Sequence, residues 1–332
     1  MQKEIDCFDN VLEYLSQNIR KMLASISNKA KSKIEEIRLR NGCPLSLYMD
    51  GKDYFVTQKS QLTEEIDKVY IINSEDISNS FQLITNHSVY AFSEDIRKGY
   101  ITITGGHRVG IGGKVIYSNN GIEMINSISS LNIRIARQKK GISDKIIPFL
   151  LDKKNNAQNT LIISPPQCGK TTLLRDIIRN LSNGKKDSFR GFKISLIDER
   201  SEIAGLYNGT TQMDVGVRTD VLDGCLKSDG IMIVIRAMSP DIIAVDEIGS
   251  SEDIVAIHEA LRTGIKLIAT IHGDGLEDIS HRMNLNSLIE ERVFQRLIIL
   301  DRSKGVGTIR HILDGNSFRD IYKRKRSLDG YY

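Results

Sequence analysis

The spacing of hydrophobic positions changes near residue 150, and this change divides the chain into two parts. In the first part, residues 9–26 carry an apolar stripe at the spacing of an amphipathic helix. Ser74 is the expected N-cap of a second helix that ends near Ile84. Short strand patterns lie at residues 34–39, 45–49, 54–57, 101–104, 108–116, 122–128 and 131–136. The pattern predicts a smaller α+β domain over residues 1–150, which could contain two subdomains.

A polar segment, Asp152 to Asn159, marks the predicted boundary, because it contains turn-forming residues and has no apolar periodicity. Beyond it, fully apolar runs alternate with helical stretches. Strand patterns lie at residues 161–164, 193–198, 242–246, 267–272 and 296–301, and helical patterns at 170–181 and 251–263. This alternation predicts an α/β domain over residues 151–332, with a buried, mainly parallel sheet and helices on both of its faces.

The composition is that of an ordinary globular protein, with 40% hydrophobic and 27% charged residues and a formal net charge of +4. This excess of base is too small to indicate nucleic-acid binding by itself. The second domain ends in a basic tail, Lys323 to Arg326. We interpret the tail either as a solvated segment or as a contact with an anionic membrane surface or nucleic acid.

The chain carries no pattern that directs it across a membrane. Its N-terminal residues do not resemble a signal peptide, and apolar runs such as Ile231 to Ile235 are too short to span a bilayer. The four cysteines lack metal-type or redox-type spacing, and a disulfide at Cys168 would obstruct the loop described next. We therefore expect a protein of the reducing cytoplasm, without a transmembrane segment, whose contact with a membrane is peripheral.

A phosphate-binding loop is predicted between the first strand and the first helix of the second domain. The sequence there matches the P-loop pattern G-x-x-x-x-G-K-[ST] except at its first position, where Ser164 replaces glycine. Backbone N–H groups of such a loop and of the following helix form a cradle for anions. Lys170 is expected to reach the β- and γ-phosphates of ATP, and the Thr171 hydroxyl to bind Mg²⁺. The residues expected to hold the phosphates are Ser164, Pro165, Pro166, Gln167, Cys168, Gly169, Lys170, Thr171 and Thr172.

Three further strands of the second domain end in polar residues that would complete the site. One ends in Asp246 and Glu247, a pair typical of a Walker B element, in which Asp246 would hold Mg²⁺ through water. Another ends in Asp198 and Glu199, and the last ends in His272, which we interpret as a γ-phosphate sensor or a coupling residue. Because ligands of open α/β sheets bind at the carboxyl ends of the strands, we expect these side chains to meet. Glu199 and Glu247 are both candidates for the catalytic base.

These four motifs, in this order, resemble those of the secretion ATPase superfamily, which includes the motors of type II secretion, type IV secretion and pili. The similarity covers residues 161–273 and is carried by the segments 235–249, 258–264 and 269–273 together with the phosphate loop. The resemblance implies a RecA-like P-loop ATPase domain that uses ATP and Mg²⁺.

A closer resemblance is to a family of sporulation proteins of endospore-forming Firmicutes, and it spans most of the chain. The matching segments are residues 36–40, 105–110, 165–176, 198–205 and 217–225. It implies a homo-hexameric ATPase in the mother-cell cytoplasm, at the outer forespore membrane. There it would energise a channel complex through a membrane protein of that complex, with no nucleic acid as a partner.

The superfamily resemblance also implies a role for arginine. Ring ATPases complete their sites with arginines from a neighbouring subunit or an adjoining domain, which neutralise charge in the transition state. Arg218 and Arg236 are the preferred candidates, because they flank the nucleotide motifs. The other candidates are Arg108, Arg134 and Arg137.

Two other functions fit the same residues. The first is a RecA-like ATPase that acts on nucleic acid, which the mild basicity and the basic tail suggest. The second is a nucleotide-dependent scaffold that binds ATP and assembles membrane partners without turnover. Turnover stimulated by DNA or RNA would support the first, and complex formation by a hydrolysis-deficient protein would support the second.

Overall fold

The computed structural model describes residues 2–118, 121–280, 283–303 and 305–322. The helices are α1 (Gln2–Leu12), α2 (Gln17–Ala24), α3 (Asn28–Lys31), α4 (Ser74–Ile84), α5 (Ser93–Lys98), α6 (Ile147–Leu150), α7 (Lys170–Asn183), α8 (Lys227–Ala237), α9 (Ser251–Arg262), α10 (Leu276–Ser280) and α11 (Met283–Glu290), with a 3₁₀ turn at Val89–Phe92. The strands are β1 (Ile34–Arg40), β2 (Ser46–Met49), β3 (Lys52–Val56), β4 (Leu62–Thr63), β5 (Tyr100–Ile103), β6 (His107–Ser118), β7 (Gly121–Arg134), β8 (Thr160–Ser164), β9 (Ile194–Asp198), β10 (Leu206–Tyr207), β11 (Thr210–Thr211), β12 (Thr219–Asp223), β13 (Ile242–Val245), β14 (Lys266–His272), β15 (Arg296–Asp301) and β16 (Thr308–Asp314).

The chain forms two compact units. The first contains Met1–Arg137 together with Gly205–Gln212, and the second contains Gln138–Ala204 together with Met213–Tyr332. The sequence pattern placed a boundary near residue 150, whereas the contacts divide the chain after Arg137. Residues before 150 join the second unit because Ile147 and Leu150 are buried in its core. The hairpin β10–β11 lies within the second half of the sequence but packs in the first unit.

The first unit is built on a seven-stranded antiparallel sheet in the order β4-β3-β2-β1-β7-β6-β5. Side chains alternate between its faces, as strand geometry requires. Ile37, Val109 and Ile133 point into the core with the helices and are fully buried. Their neighbours Arg108 and Arg134 are paired across β6 and β7 and lie on the opposite face.

The single helix expected over residues 9–26 is wrong, because the chain leaves the helix at Leu12 and starts α2 at Gln17. The Ser16 hydroxyl donates to Asp76 Oδ1 over 2.8 Å, and the Ser16 N–H donates to Ser80 Oγ over 2.9 Å. These bonds to α4 replace helical hydrogen bonds at the break. The N-cap of α4 is Asn73, one residue before the expected one, in a capping box with Asp76.

The strands expected over residues 122–128 and 131–136 are one strand in the structure, β7. Ser127 lies within it at a φ of 47°, close to an irregularity in the register between β6 and β7. Such an irregularity is a β-bulge, which bends a strand without ending it.

The second unit has a seven-stranded sheet in the order β12-β9-β13-β14-β8-β15-β16. Neighbouring strands are parallel from β12 to β15, and β16 is antiparallel to β15. Every residue of β8, β9 and β13 is buried. One hydrophobic cluster contains residues of α7, and another contains residues of α8, α9 and α11, so helices cover both faces. The predicted mainly parallel α/β architecture is confirmed.

Candidate functional site

The carboxyl ends of four neighbouring strands bring the predicted motifs together. The strands lie in the order β9-β13-β14-β8, and each is followed directly by, or ends in, one of the polar motifs. His272 at the end of β14 is the register partner of Ser164 at the end of β8. The site therefore forms at the edge where open α/β sheets bind ligands.

The phosphate loop turns from β8 into α7 through two residues in the left-handed region. Gln167 has a φ of 57° and Gly169 a φ of 85°. A Cβ on Gly169 would lie 3.1 Å from Val306 Cγ1 and 3.2 Å from the Gly307 nitrogen. Glycine is therefore needed both for its backbone conformation and for the close approach of the segment after β15.

Ser164 occupies the first loop position without strain, because it is the last residue of a regular strand. Its side chain is fully buried, and its hydroxyl donates to the Pro165 carbonyl over 2.8 Å. The Cys168 thiol is also buried. The loop is braced from outside by Arg302, whose Nη2 donates to the Pro166 carbonyl over 2.9 Å.

Lys170, the first residue of α7, is only 7% exposed. Within the part of the chain that the structure describes, its ammonium group makes no hydrogen bond. Its Nζ lies 3.9 Å from Asp246 Oδ1 and 3.8 Å from Glu247 Oε2. A buried ammonium without a hydrogen-bond acceptor is costly, so this position fits an anionic ligand that supplies one.

Asp246 is fixed by two threonine hydroxyls. Thr171 donates to Asp246 Oδ2 over 3.0 Å, and Thr270 donates to Asp246 Oδ1. The same Thr270 hydroxyl accepts the Glu247 backbone N–H over 2.9 Å. Thr270 thus orients both acidic residues of the β13 end, although it belongs to the neighbouring strand β14.

Glu247 adopts a φ of 52°, which non-glycine residues rarely occupy. This conformation turns its carboxylate toward three basic side chains. Oε1 lies 3.2 Å from His272 Nε2, while Oε2 lies 3.8 Å from Lys170 Nζ and 3.5 Å from Arg200 Nη1.

Glu199 has a different environment. Its carboxylate is paired with the ammonium group of Lys227, the first residue of α8. The Glu199 side chain is 30% exposed and that of Lys227 is 13% exposed. The two candidate bases therefore line one groove of about 360 Å³ but have separate partners.

The segment that follows Glu199 is held from both sides. The Asp198 carboxylate accepts the backbone N–H groups of Glu202, Ile203 and Ala204 over 2.8–3.0 Å. The buried Arg175 guanidinium donates to the carbonyls of Glu202 and Ile203, each over 2.5 Å. Burial raises the pKa of Asp198 to about 6, and the nearby Asp223 adds to the rise against the opposing effect of these N–H groups. Burial also lowers the pKa of Arg175.

The predicted arginines occupy different places, and Arg218 and Arg236, which share the second unit with the phosphate loop, lie away from that loop. Arg218 Nη1 donates to the Ser182 carbonyl over 2.9 Å, at the C-terminal end of α7. Arg236 is exposed in the last turn of α8. In the first unit, the Arg137 guanidinium donates to the Lys31 carbonyl over 3.0 Å.

Arg108 and Arg134, by contrast, form a pair on the outer face of the first unit's sheet. The Arg108 guanidinium lies 3.6 Å from the centre of the Tyr100 ring, and Arg134 Nε lies 3.1 Å from Glu36 Oε1. The two residues are register partners across β6 and β7, but their guanidinium groups turn apart, toward Tyr100 on β5 and Glu36 on β1.

Sequence reasoning did not assign roles to Thr270, Arg200 or Lys227. One signal was present, since Thr270 is the polar residue within the otherwise apolar run Leu267 to Ile271. Arg200 follows Glu199 directly, but nothing in the sequence indicates that it contacts Glu247. Lys227 lies 28 residues from Glu199, a separation that no local pattern bridges.

Comparison with known proteins identifies the family. A family model described as "Sporulation stage III, protein AA" matches residues 6–319. The stage III sporulation protein AA of Bacillus subtilis (strain 168) is 42% identical over 306 residues, which cover 92% of this chain and 95% of that protein. The chain belongs to the sporulation stage III protein AA family.

Solved structures show what fold this family member has. The pilus retraction motor PilT with bound ADP is 16% identical with a TM-score of 0.57, covering 95% of this chain and 87% of that one. The ATPase DotB of Legionella pneumophila is 18% identical with a TM-score of 0.51, covering 85% and 75%. The expected fold of the secretion ATPases is therefore confirmed.

Two expectations concern features that the structure addresses only in part. Within the described ranges, no helix is both long and apolar enough to cross a membrane. The basic tail, Lys323 to Arg326, lies outside the described residues.

Proposed function

We propose that this family member is a Mg²⁺-dependent ATPase whose turnover drives a membrane-associated complex during endospore formation. The observation that carries the proposal is the buried Lys170 ammonium, which has no hydrogen bond within the described residues and lies beside two carboxylates. A phosphate group would supply its missing acceptors. The first turn of α7 adds backbone N–H groups at the same place.

Asp246 and Thr171 are the proposed Mg²⁺ holders. The 3.0 Å hydrogen bond between them shows that a hydroxyl and a carboxylate already converge beside Lys170. Oxygen ligands of this kind suit Mg²⁺, which would neutralise charge on the phosphate oxygens. Asp246 would act through water, with its two oxygens oriented by the hydroxyls of Thr270 and Thr171.

Glu247 is the proposed base that accepts a proton from the attacking water. His272 and Arg200 hold its carboxylate from two directions, at 3.2 and 3.5 Å, and its left-handed backbone keeps the side chain near Lys170. His272, at the end of β14, would then act as the sensor or coupling residue, because it contacts the Glu247 carboxylate. Glu199 is the weaker candidate, because Lys227 neutralises it away from these partners.

Two glutamine variants test this division. Glu247→Gln is expected to lower ATP turnover by about 10²–10⁴-fold while ATP binding persists. Glu199→Gln is expected to lower it much less. Glu252→Gln is a matched control, because Glu252 is exposed in the same groove and has no part in the proposed mechanism. An equal or larger loss in Glu199→Gln would reverse the assignment of the base.

Lys170→Ala tests the site itself. Without the ammonium group, ATP binding and turnover should both be lost. Turnover that persists in this variant would exclude the phosphate loop as the site of hydrolysis.

We further propose that the active form is a homo-hexamer in which arginines of one copy complete the site of another. Arg108 and Arg134 are candidates because they are register partners on the face of the first unit's sheet that lies away from its core, and Arg218 and Arg236 are the other candidates. The test mixes two inactive proteins, Glu247→Gln and Arg134→Ala. Recovered turnover in the mixture, absent from each protein alone, is expected for a shared site. No recovery with any of the four arginine variants would mean that each site is complete within one chain.

The cellular part of the proposal places the protein in the mother-cell cytoplasm, at the outer forespore membrane, acting with a membrane protein of a channel complex. Membership of a sporulation family and the fold of a pilus motor support it. Cells that carry Glu247→Gln should express the protein and fail to complete spores. Normal sporulation of such cells would show that assembly alone is sufficient.

A further inference from the structure

The edge of the second unit's sheet opposite the phosphate loop carries a concentration of basic residues. We call it the basic edge, and it is formed by three segments: residues 152–158, 184–193 and 263–266. Asp152, Arg190 and Lys266, one from each segment, line one groove of about 550 Å³. Asn155 Nδ2 also donates to the Ser188 carbonyl over 2.8 Å, which joins the first two segments. The basic residues of the edge are Lys153, Lys154, Lys185, Lys186, Arg190, Lys193 and Lys266.

The acidic residues within these segments are Asp152 and the exposed Asp187, against seven basic residues, so the edge keeps an excess of positive charge. Asp152 is used mainly by its own loop, since the Asn156 backbone N–H and side-chain amide donate to it over 2.9 and 3.0 Å and the Lys154 backbone N–H over 2.7 Å. These hydrogen bonds, together with the Lys154 charge, lower the pKa of Asp152. Asp241, beside the edge, accepts the Lys193 backbone N–H over 2.9 Å and lies 3.7 Å from Arg190. Within the described ranges, no carboxylate lies within 4.0 Å of any of the six lysine ammonium groups.

The helix dipole explains the position of only some of these lysines. Lys185 and Lys186 follow the C-terminal end of α7, where a cation is favoured by the helix dipole. Lys153, Lys154 and Lys193 have no such position, because they lie in loops before β8 and β9. Five exposed lysines on adjacent loops repel one another, and binding of an anionic partner would relieve that repulsion.

The composition of the edge indicates what the partner is. Lysine predominates over arginine by six to one, and lysine acts as a mobile point charge, whereas arginine is preferred for geometric recognition of bases and single phosphates. The aromatic residues of these segments, Phe189 and Phe192, pack on each other at 6.3 Å, and neither is exposed as a platform for stacking bases. Mobile charges without stacking platforms fit a diffuse anionic surface.

We propose that the basic edge is the surface by which this protein docks on a bilayer that contains anionic phospholipid. This proposal names the surface that would contact the membrane. It rests on the peripheral membrane location given under the proposed function, but it does not depend on ATP hydrolysis. Strand β8 runs from the basic edge to the phosphate loop over roughly 13 Å, at about 3.3 Å per residue. A protein docked in this way keeps the nucleotide site on the side turned away from the lipid.

Vesicle co-sedimentation of the full chain tests the proposal. The edge variant replaces four exposed lysines with glutamine: Lys153→Gln, Lys154→Gln, Lys185→Gln and Lys186→Gln. The control variant removes the same charge from exposed positions of the first unit: Lys21→Gln, Lys29→Gln, Lys59→Gln and Lys98→Gln. The vesicles contain equal parts of phosphatidylglycerol and phosphatidylcholine, and vesicles of phosphatidylcholine alone serve as the neutral reference.

The wild type and the control variant should bind the anionic vesicles and not the neutral ones. Each lysine near an anionic surface changes partition by about fivefold, so the loss of four lysines should make the edge variant bind about 600-fold more weakly. Binding of the wild type should fall as ionic strength rises toward ~0.15 M. Lys170→Ala should bind vesicles normally, so that failure of hydrolysis and failure of docking are separate results.

Three results would overturn the proposal. One is vesicle binding that the edge variant retains and that only replacement of the tail, Lys323 to Arg326, removes. Another is an equal loss of vesicle binding in the control variant, which would show that binding depends on net charge and not on the position of the lysines. The last is binding of duplex DNA or single-stranded RNA through the same lysines without binding of anionic vesicles.

Discussion

Thr270→Val replaces the hydroxyl that connects Asp246 and Glu247 with a methyl group of similar volume. Thr270 is fully buried, and its Oγ1 donates to Asp246 and accepts the Glu247 N–H over 2.9 Å. A hydrogen bond to a charged group contributes about 1.5–3 kcal/mol, and a neutral one about 0.5–1.5 kcal/mol. The free energy of unfolding should therefore fall by about 2–4 kcal/mol, with the lower half favoured because Glu247 is partly open to water.

The same substitution should impair turnover, because Asp246 and the left-handed Glu247 lose the group that orients them. Thr270→Ser is the matched control, since it retains the hydroxyl and removes one methyl group at a cost of about 1 kcal/mol. Urea unfolding gives the stability of both variants, and steady-state kinetics with MgATP gives kcat and KM. If the valine variant unfolds within about 0.5 kcal/mol of the wild type and keeps its kcat, the hydroxyl does not organise the site.

Three further substitutions have defined outcomes. The raised pKa of Asp198, about 6 against an ordinary 3.8, means that its contribution to the unfolding free energy is complete below pH 3.8 and is lost as pH rises through 6. Asp198→Asn should therefore reduce the fall in stability between pH 4 and pH 7 by up to about 3 kcal/mol, while Asp220→Asn, an exposed control on β12, should not. Gly169→Ala, measured by ATP binding, should weaken affinity at least about tenfold, because the new Cβ meets the Gly307 nitrogen at 3.2 Å in a strained backbone. Arg175→Met should lower the midpoint of thermal unfolding, since two buried carbonyls lose their donor at about 1–3 kcal/mol each, and an unchanged midpoint would show that water replaces the guanidinium.

Local patterns in the sequence were sufficient for several features of this protein. An apolar strand, a loop with Gly169 and Lys170, and a helix are consecutive in the chain, so a strand–loop–helix unit of the P-loop type is predicted without knowledge of the fold. The alternation of apolar strands with helices predicted the parallel sheet for the same reason. The spacing of side chains along a helix or strand is a local property, and it is preserved in the folded state.

Other features depended on contacts between distant parts of the chain. The break after Leu12 follows from bonds between Ser16 and α4, some 60 residues away, which the unbroken apolar stripe concealed. Composition likewise does not indicate that the units divide after Arg137 or that the hairpin β10–β11 packs in the first unit. Local hydrophobic spacing says that a segment will be buried, but not against which partner.

The same distinction applies to the site. The sequence by itself determined that Asp198, Glu199, Asp246, Glu247 and His272 would end strands at one edge of the sheet. Only the tertiary structure decided that Glu247 contacts His272 and Lys170 while Glu199 pairs with Lys227, because strand order and helix packing set those distances. Charged groups interact through space, so the contacts of these side chains depend on the packing that sets the strand order of the sheet.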